Sequence, residues 1–468
     1  MPRAPQKRDA DYVFYELTRS ICPECRITID AQILLRQGRV IMRKRCPEHG
    51  WFEVLISSDA ELYLNSLRFN KPGTLPLGYS TEVSEGCPRD CGLCPEHKQH
   101  TCLGLIEINS HCNLDCPVCF ANAGPGFSLS LAQVETMLNR FVQLEGEPEV
   151  VQFSGGEPTI HPEILPMLKL AKRKGIGVVM LNTNGVRIAG DDRFLAQLAD
   201  LRPTIYLQFD GFRQQTHAYM RGQALLDLKL RALERLAQAK LDVVLVPAIE
   251  RGVNHDEIGA IVRFGLEHRA VRGIAFQPVT HAGRFPGFDP LERETVADVL
   301  HGIAEQTDGL FQLSDFVPVP CCHPSCRVAT YAYVENGTVT PLPRVVDVEQ
   351  YLDYITNRAL PDTSPEVLKA LEGLWSAASV PGSRGAKRRL RCVACSTVFP
   401  GARQYLKQHV FMIVVQSFGD PYTLDLKALM KCCVGELIPD GRIIPFCAYN
   451  SVGYREQVLA ALARGSGE

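Results

Sequence analysis

Three cysteines with the spacing CxxxCxxC stand in the segment Asn109-Ser110-His111-Cys112-Asn113-Leu114-Asp115-Cys116-Pro117-Val118-Cys119-Phe120. Thiolates this close on one loop can hold three irons of a four-iron cluster and leave the fourth iron without a protein ligand. An open iron is what a chelating cofactor needs. Taken alone, the spacing also suits a zinc site. Three later segments carry groups that could serve a small charged cofactor. Ser154-Gly155-Gly156-Glu157-Pro158 combines backbone that only glycine leaves accessible with a carboxylate able to face an ammonium group. Asn182-Thr183-Asn184-Gly185 offers side-chain amides, and in Gln208-Phe209-Asp210-Gly211 strand alternation puts Gln208 and Asp210 on one face.

Other cysteines form separate groups. Cys22-Pro-Glu-Cys25 and Cys46-Pro-Glu-His49 read as two metal knuckles around a strand-turn-strand running from Ile33-Leu34-Leu35 to Val40-Ile41-Met42. That pattern is a zinc ribbon, and His49 in place of a fourth cysteine favours zinc over a mononuclear iron. Cys87, Cys91, Cys94 and Cys102 supply four thiolates for a second four-iron cluster with complete protein ligation, His97 being a substitute for Cys102 and a mononuclear metal the alternative occupant. Eight more cysteines lie between Cys321 and Cys447, enough for one further cluster or two. Cys326, Cys392, Cys395 and Cys447 are the favoured ligands there. One member of each adjacent pair, Cys321-Cys322 and Cys432-Cys433, is left to the core, because neighbouring side chains rarely face the same ion.

These groups need elements to position them. The 468 residues exceed one ordinary core, and 46% hydrophobic with 22% charged residues is the balance of a globular chain. Fifty basic against 52 acidic residues give a net charge of -2, which exerts no global pull on nucleic acid. The first twenty residues lack an apolar core for a signal peptide, and no segment reaches the ~18 apolar residues of a membrane span, so a cytoplasmic chain is expected. In a reducing compartment its 18 cysteines point to metal ligation or redox chemistry rather than disulfides.

Short apolar runs at 103–108, 149–153, 176–181, 204–209, 242–248 and 272–277 read as buried parallel strands. Amphipathic helices are expected at 130–143, 162–174, 192–200, 224–239, 256–268 and 290–306, with Ser130 and Asp256 among the capping residues. Right-handed crossovers would build from these a partial (β/α)6 barrel with every strand C-terminus at one rim, where the chemistry of such folds sits. The expected organisation is a metal-binding ribbon over 1–75, the barrel with its preceding cluster segment over 76–310, and a cysteine-rich auxiliary-cluster domain over 311–468. Asn70-Lys71-Pro72-Gly73 is the linker, and Asp440-Gly441 turns a hairpin within 438–444.

The cysteine loop after a first strand, followed by Gly-Gly-Glu-Pro and the polar strand ends, resembles the radical S-adenosylmethionine (SAM) superfamily. The resemblance implies that SAM chelates the open iron and that one electron, from a donor such as flavodoxin or ferredoxin, cleaves it to a 5'-deoxyadenosyl radical. It places Gly155, Gly156, Glu157, Asn182, Asn184, Gln208 and Asp210 around SAM. Val118 stands where the family often has an aromatic residue before the third cysteine. Across most of the chain, the run from Cys94 to Cys102, Cys116-Pro-Val-Cys-Phe-Ala121, Gln277-Pro-Val279 with Gly283-Arg284, Lys431-Cys-Cys433 and Ile444-Pro-Phe-Cys447 resemble the archaeal tetraether lipid synthase family and its bacterial relatives. That likeness implies carbon-carbon coupling of unactivated lipid chains taken from a membrane surface by a peripherally associated enzyme, with Arg284 near a head group or the SAM carboxylate, or else in a surface salt bridge. The alternatives are methyl or one-carbon transfer to a pterin-like heterocycle, and peptide modification.

Overall fold

The computed structural model describes residues 10–335, 337–344 and 409–465. Its first unit is a four-stranded antiparallel meander of β1 (Val13–Ile21), β2 (Thr28–Arg36), β3 (Arg39–Cys46) and β4 (Gly50–Ser57). Leu34 pairs with Ile41 in the expected strand-turn-strand, and the turn between them uses Gln37 and Gly38 at φ 53° and 74°, the twist-matched geometry of a two-residue hairpin. Lys44 fastens this sheet to the end of the chain. Its Nζ donates to the carbonyls of Ile21, Pro421 and Tyr422 at 2.7–2.8 Å, and burial lowers the amine to about 7.

The expected barrel strands are present as β5 (Leu103–Glu107), β6 (Val150–Ser154), β7 (Val178–Thr183), β8 (Thr204–Gln208), β9 (Val243–Val246) and β11 (Val271–Pro278), with a short β10 (Ala248–Ile249) beside β11. All are parallel, and their apolar runs are buried on both faces, as helix-covered parallel strands must be. Five helices, Leu131–Glu145, Ile164–Arg173, Asp192–Leu201, Leu226–Gln238 and Ile258–Glu267, fall where the periodicity puts them, and the sixth, Val296–Gln306, begins six residues later than expected, where Thr295 caps it. Ser130 and Gln133 form a reciprocal capping box at the first. Asp256 does not cap its helix. Residues 255–257 form a 3-10 turn, and Asp256 instead takes Arg213 in an exposed ion pair. Two further helices, Val186–Gly190 and Gln214–Arg221, occupy stretches whose apolar residues are too few to announce them.

The C-terminal region joins the same sheet rather than building its own. After β12 (Val317–Pro318), β13 (Arg327–Glu335) and β14 (Thr338–Pro341), strand β15 (Val410–Gln416) pairs parallel to β11. At the other edge β16 (Val434–Leu437) pairs parallel to β5, and β17 (Ile443–Pro445) turns back on it through the Asp440-Gly441 hairpin. The strand order is therefore β12-β13-β15-β11-β9-β8-β7-β6-β5-β16-β17. Residues 411–415, an apolar run, form the buried centre of β15. Among the described residues no helix is long and apolar enough to cross a membrane.

Candidate active site

Strand β5 delivers the chain directly into the Cys112–Cys119 loop, and the loop is fixed by its neighbours. Gly156 N donates to Asn109 O and Glu157 N to His111 O, both at 2.8 Å, so the loop after β6 is stitched to it. A Cβ at Gly155 would lie 2.2 Å from Asn109 O, and one at Gly156 would lie 2.1 Å from His111 O. These glycines are thus required by backbone meeting backbone, a reason for Gly-Gly additional to any ligand. On the far side Arg284 clamps the loop. Its main chain exchanges hydrogen bonds with Cys119 at 2.8 and 2.9 Å, its Nε donates to Cys116 O at 2.8 Å, and its guanidinium pairs with Asp115 at 2.7 Å. Arg284 therefore holds the cysteine loop, and of its expected contacts the surface salt bridge is the one formed, with Asp115. Gly283, at φ 71° with Phe120 O 2.4 Å from its would-be Cβ, makes that approach possible.

The three cysteines open on the barrel's central cavity, together with Gly155, Gly156, Asn182, Asn184 and Gln208. Asn184 Nδ2 donates to Asn113 of the cysteine loop at 2.7 Å, Asn182 Nδ2 to Ser154 at 3.2 Å, and Gln208 accepts from the buried Lys229 at 2.9 Å. Val118 lies in the wall against Met220 and Val279. Glu157 also borders the cavity but is already filled: it accepts from Thr159 N and Oγ1, Thr183 Oγ1 and Asn184 N. It ties the β6 and β7 loops together. Burial raises its carboxyl above the ordinary range despite those bonds.

Asp210 departs from expectation. Strand β8 ends at Gln208, and the chain turns so that the Asp210 carboxylate, 0% exposed, meets Arg221 in a two-pronged pair at 2.7 and 2.8 Å. Burial alone would raise its pKa, but Arg221 holds it below the ordinary value. Arg221, which the sequence reading passed over, takes the place on the cavity wall and donates to Val118 O at 3.0 Å. A basic residue closing a helix of few apolar positions gives little sequence signal.

The donor sets fit the metals that their chemistry implies. Cys22, Cys25, Cys46 and His49 have all ligand atoms within 4.8 Å of one another, with Cys25 and Cys46 sulfurs 3.8 Å apart and His49 Nδ1 3.4 Å from Cys46. That is the size of a single tetrahedral ion. Among the described residues the other group so compact is Cys102, Cys321 and Cys433. Cys112, Cys116 and Cys119 are not, which suits the wider body of a cluster and disfavours a lone zinc.

Two cysteine assignments change. Cys102 leaves the set of Cys87, Cys91 and Cys94 because β5 begins beside β16. The amides of Cys102 and Leu103 both donate to Cys433 O, at 2.9 and 3.1 Å, and that register brings the Cys102 thiol to Cys433 and Cys321. His97, the proposed substitute, is turned away to the Cys432 carbonyl at 2.8 Å. The pair Cys432-Cys433 splits: Cys433 joins Cys102, Cys321 and Cys322, whereas Cys432 contacts Cys447 with Cys326 close by, so neither pair leaves a member to the core, and Cys321 and Cys322 face the same group against expectation. Cys326 and Cys447 thus share a group with Cys432. Cys392 and Cys395, also favoured as ligands, lie outside the described residues.

Comparison with known proteins agrees with this architecture. Residues 106–265 match the model of the radical SAM superfamily, and residues 14–58 match that of the HMPTM N-terminal zinc ribbon domain. The 7,8-dihydro-6-hydroxymethylpterin dimethyltransferase of Methanocaldococcus jannaschii is 36% identical over 479 aligned positions, covering 94% of each chain. The chain belongs to this radical SAM family. The GTP 3',8-cyclase of Chlorobaculum tepidum is 33% identical over 204 residues, 41% of this chain and 60% of its own. Among solved structures, SuiB of Streptococcus suis bound to its precursor peptide aligns with a TM-score of 0.38 and 17% identity over 45% of this chain and 46% of that one. The chain is therefore a radical SAM enzyme with a SAM-binding iron-sulfur cluster, an N-terminal metal ribbon and a C-terminal cysteine cluster suited to an auxiliary metal site. When loaded, such a centre supplies the 5'-deoxyadenosyl radical, fed by an external electron donor.

Proposed function

We propose that this enzyme uses radical SAM chemistry to modify a pterin-like heterocycle by methyl or one-carbon transfer. The observation that carries the reading is similarity along 94% of the chain to a dimethyltransferase whose name specifies a dihydropterin. A second relative's name specifies GTP, another fused nitrogen heterocycle. The expected coupling of lipid chains gives way to this alternative, because the names of these relatives specify heterocycles rather than lipids.

The cavity supports the same choice. Cys112, Cys116 and Cys119 would hold the SAM-binding cluster, and Gly155, Gly156, Asn182, Asn184 and Gln208 would line the SAM side with Arg221. The rest of the cavity lining is largely apolar, with Leu105, Val246 and Val434 among its residues, but polar side chains interrupt it. Gln152, Gln277, Gln416, Asn450 and Glu436 border it, and Tyr206 receives Gln277 at 3.4 Å. Phe120, Phe418 and Phe446 form an aromatic group on the same lining, with centroids 4.8–5.9 Å apart, that can offer ring faces to a planar substrate. A ring with several nitrogen and carbonyl groups can satisfy these polar side chains while its faces meet the apolar ones; a methyl terminus offers the polar side chains nothing. Flavodoxin or ferredoxin would supply the electron.

Expression in a host containing both dihydropterins and long-chain membrane lipids tests the reading, with the pterin pool and the lipid extract analysed by mass spectrometry from the same cells. New methylated pterins that vanish with Cys116→Ala are expected. Coupled lipids beside an unchanged pterin pool would reject it.

A further inference from the structure

One carboxyl on the cavity wall is neither paired nor solvated. Glu436 lies on β16 opposite Leu105 of β5, is 1% exposed, and borders the central cavity. Its Oε1 accepts the Glu107 amide at 2.9 Å. Its Oε2 has no hydrogen-bond partner among the described residues. The next carboxyl along, Glu107, is fully served: Arg455 reaches both of its oxygens at 3.1–3.2 Å, and Tyr449 OH donates at 3.1 Å. The nearby arginine is thus spent on Glu107, and Glu436 is left beside a carboxylate without a cation of its own.

Burial, and then the Glu107 charge, push the Glu436 acid well above its ordinary value. With Oε1 engaged by an N–H, the acid proton belongs on Oε2, and Oε2 is the atom that is unsatisfied. A buried donor without an acceptor is costly to keep unless something bound supplies one.

We propose that Glu436 is a specificity-determining contact of this enzyme, donating a hydrogen bond from Oε2 to a ring carbonyl or ring nitrogen of a polar heterocycle seated on the β5–β16 side of the cavity. The inference rests on the pterin-like substrate reading and adds the group that recognises the ring. An alkyl chain has no acceptor to give and would leave Oε2 stranded. A lactam carbonyl or imine nitrogen satisfies it, while the aromatic group of Phe120, Phe418 and Phe446 lines the same cavity.

Fluorescence titration of 7,8-dihydro-6-hydroxymethylpterin into the anaerobically reconstituted holoenzyme tests this, comparing the natural chain with Glu436→Leu and Glu436→Gln. Iron content and melting temperature matched to the natural chain establish that each variant has folded. Glu436→Leu is expected to weaken binding at least about tenfold, roughly 1.4 kcal/mol. Glu436→Gln should stay within about threefold, because the Glu107 amide holds the amide oxygen and leaves an N–H donor where Oε2 stood. Binding by Glu436→Leu equal to the natural chain overturns the inference alone. So does equal weakening by Gln and Leu, which would mean an ionised acceptor. A natural chain that cleaves SAM but binds no pterin rejects the substrate reading, and the inference with it.

Discussion

Two loops of this chain carry the same CxxxCxxC spacing, Cys87-Cys91-Cys94 and Cys112-Cys116-Cys119, and only the second faces the central cavity. The first is tucked against the C-terminal helix Tyr454–Gly465: the Cys91 amide donates to Tyr454 OH at 3.1 Å, and that hydroxyl donates to Pro88 O at 2.8 Å. Asp90 closes the turn before it by accepting three successive amides, Ser84, Glu85 and Gly86, at 2.7 Å each. The second loop extends from a barrel strand, is stitched to the Gly155-Gly156 turn, and stands at the rim where strand ends converge. Spacing decides that a loop can hold metal; where the strand before it ends decides whether that metal meets a cofactor.

The sharpest way to break the comparison is to remove one cysteine from each loop. Cys116→Ala should reduce 5'-deoxyadenosine formation to the level of the metal-free protein, whereas Cys91→Ala should lower the iron content without abolishing that product. Equal loss of SAM cleavage in both would erase the distinction between the loops.

A smaller effect is expected where a sulfur group is assembled from distant parts of the chain. Cys433→Ala should remove the metal held by Cys102, Cys321 and Cys433 and leave the ribbon's zinc in place, as metal analysis of the purified chain would register. His49→Ala should do the reverse, releasing zinc and melting the ribbon early while the iron content persists. Parallel loss of both metals from either variant would mean that the sites are one folding unit.

Arg284→Ala takes a clamp from the cysteine loop without touching a sulfur. It is expected to slow SAM cleavage by about 10- to 100-fold, the range of groups that orient a metal's ligands. The smallest change is Ser130→Ala, which removes a capping box remote from the sulfurs and should cost about 1 kcal/mol in denaturant unfolding with SAM cleavage intact.

Legibility in the sequence followed the range of the contacts. The ribbon site could be read because each knuckle is a local turn, Cys22 to Cys25 and Cys46 to His49, and the strands between bring them together by one hairpin. The six barrel strands were legible because burial on both faces forces apolar runs. The partners of Cys102 were not, since they depend on β16 pairing with β5 across more than three hundred residues, and no spacing records a parallel register. Asp210 was misplaced for a related reason: alternation holds only while the strand continues, and β8 stops at Gln208. The expectation that one member of each C-terminal pair stays in the core failed. Cys432 and Cys433 diverge but into two sulfur groups, Cys433 to Cys102 and Cys432 to Cys447, and Cys321 and Cys322 both meet Cys433, because the register of β16 on β5 rather than local spacing sets these contacts.

The most direct measurement of the central claim, that the 112–119 loop alone presents an open iron to SAM, is electron-nuclear double resonance on the reduced enzyme with SAM labelled in its amino and carboxylate groups. Coupling of the label to a cluster is expected in the natural chain and in Cys91→Ala, and its disappearance in Cys116→Ala. Coupling that survives Cys116→Ala would contradict the assignment and move the cofactor to another cluster.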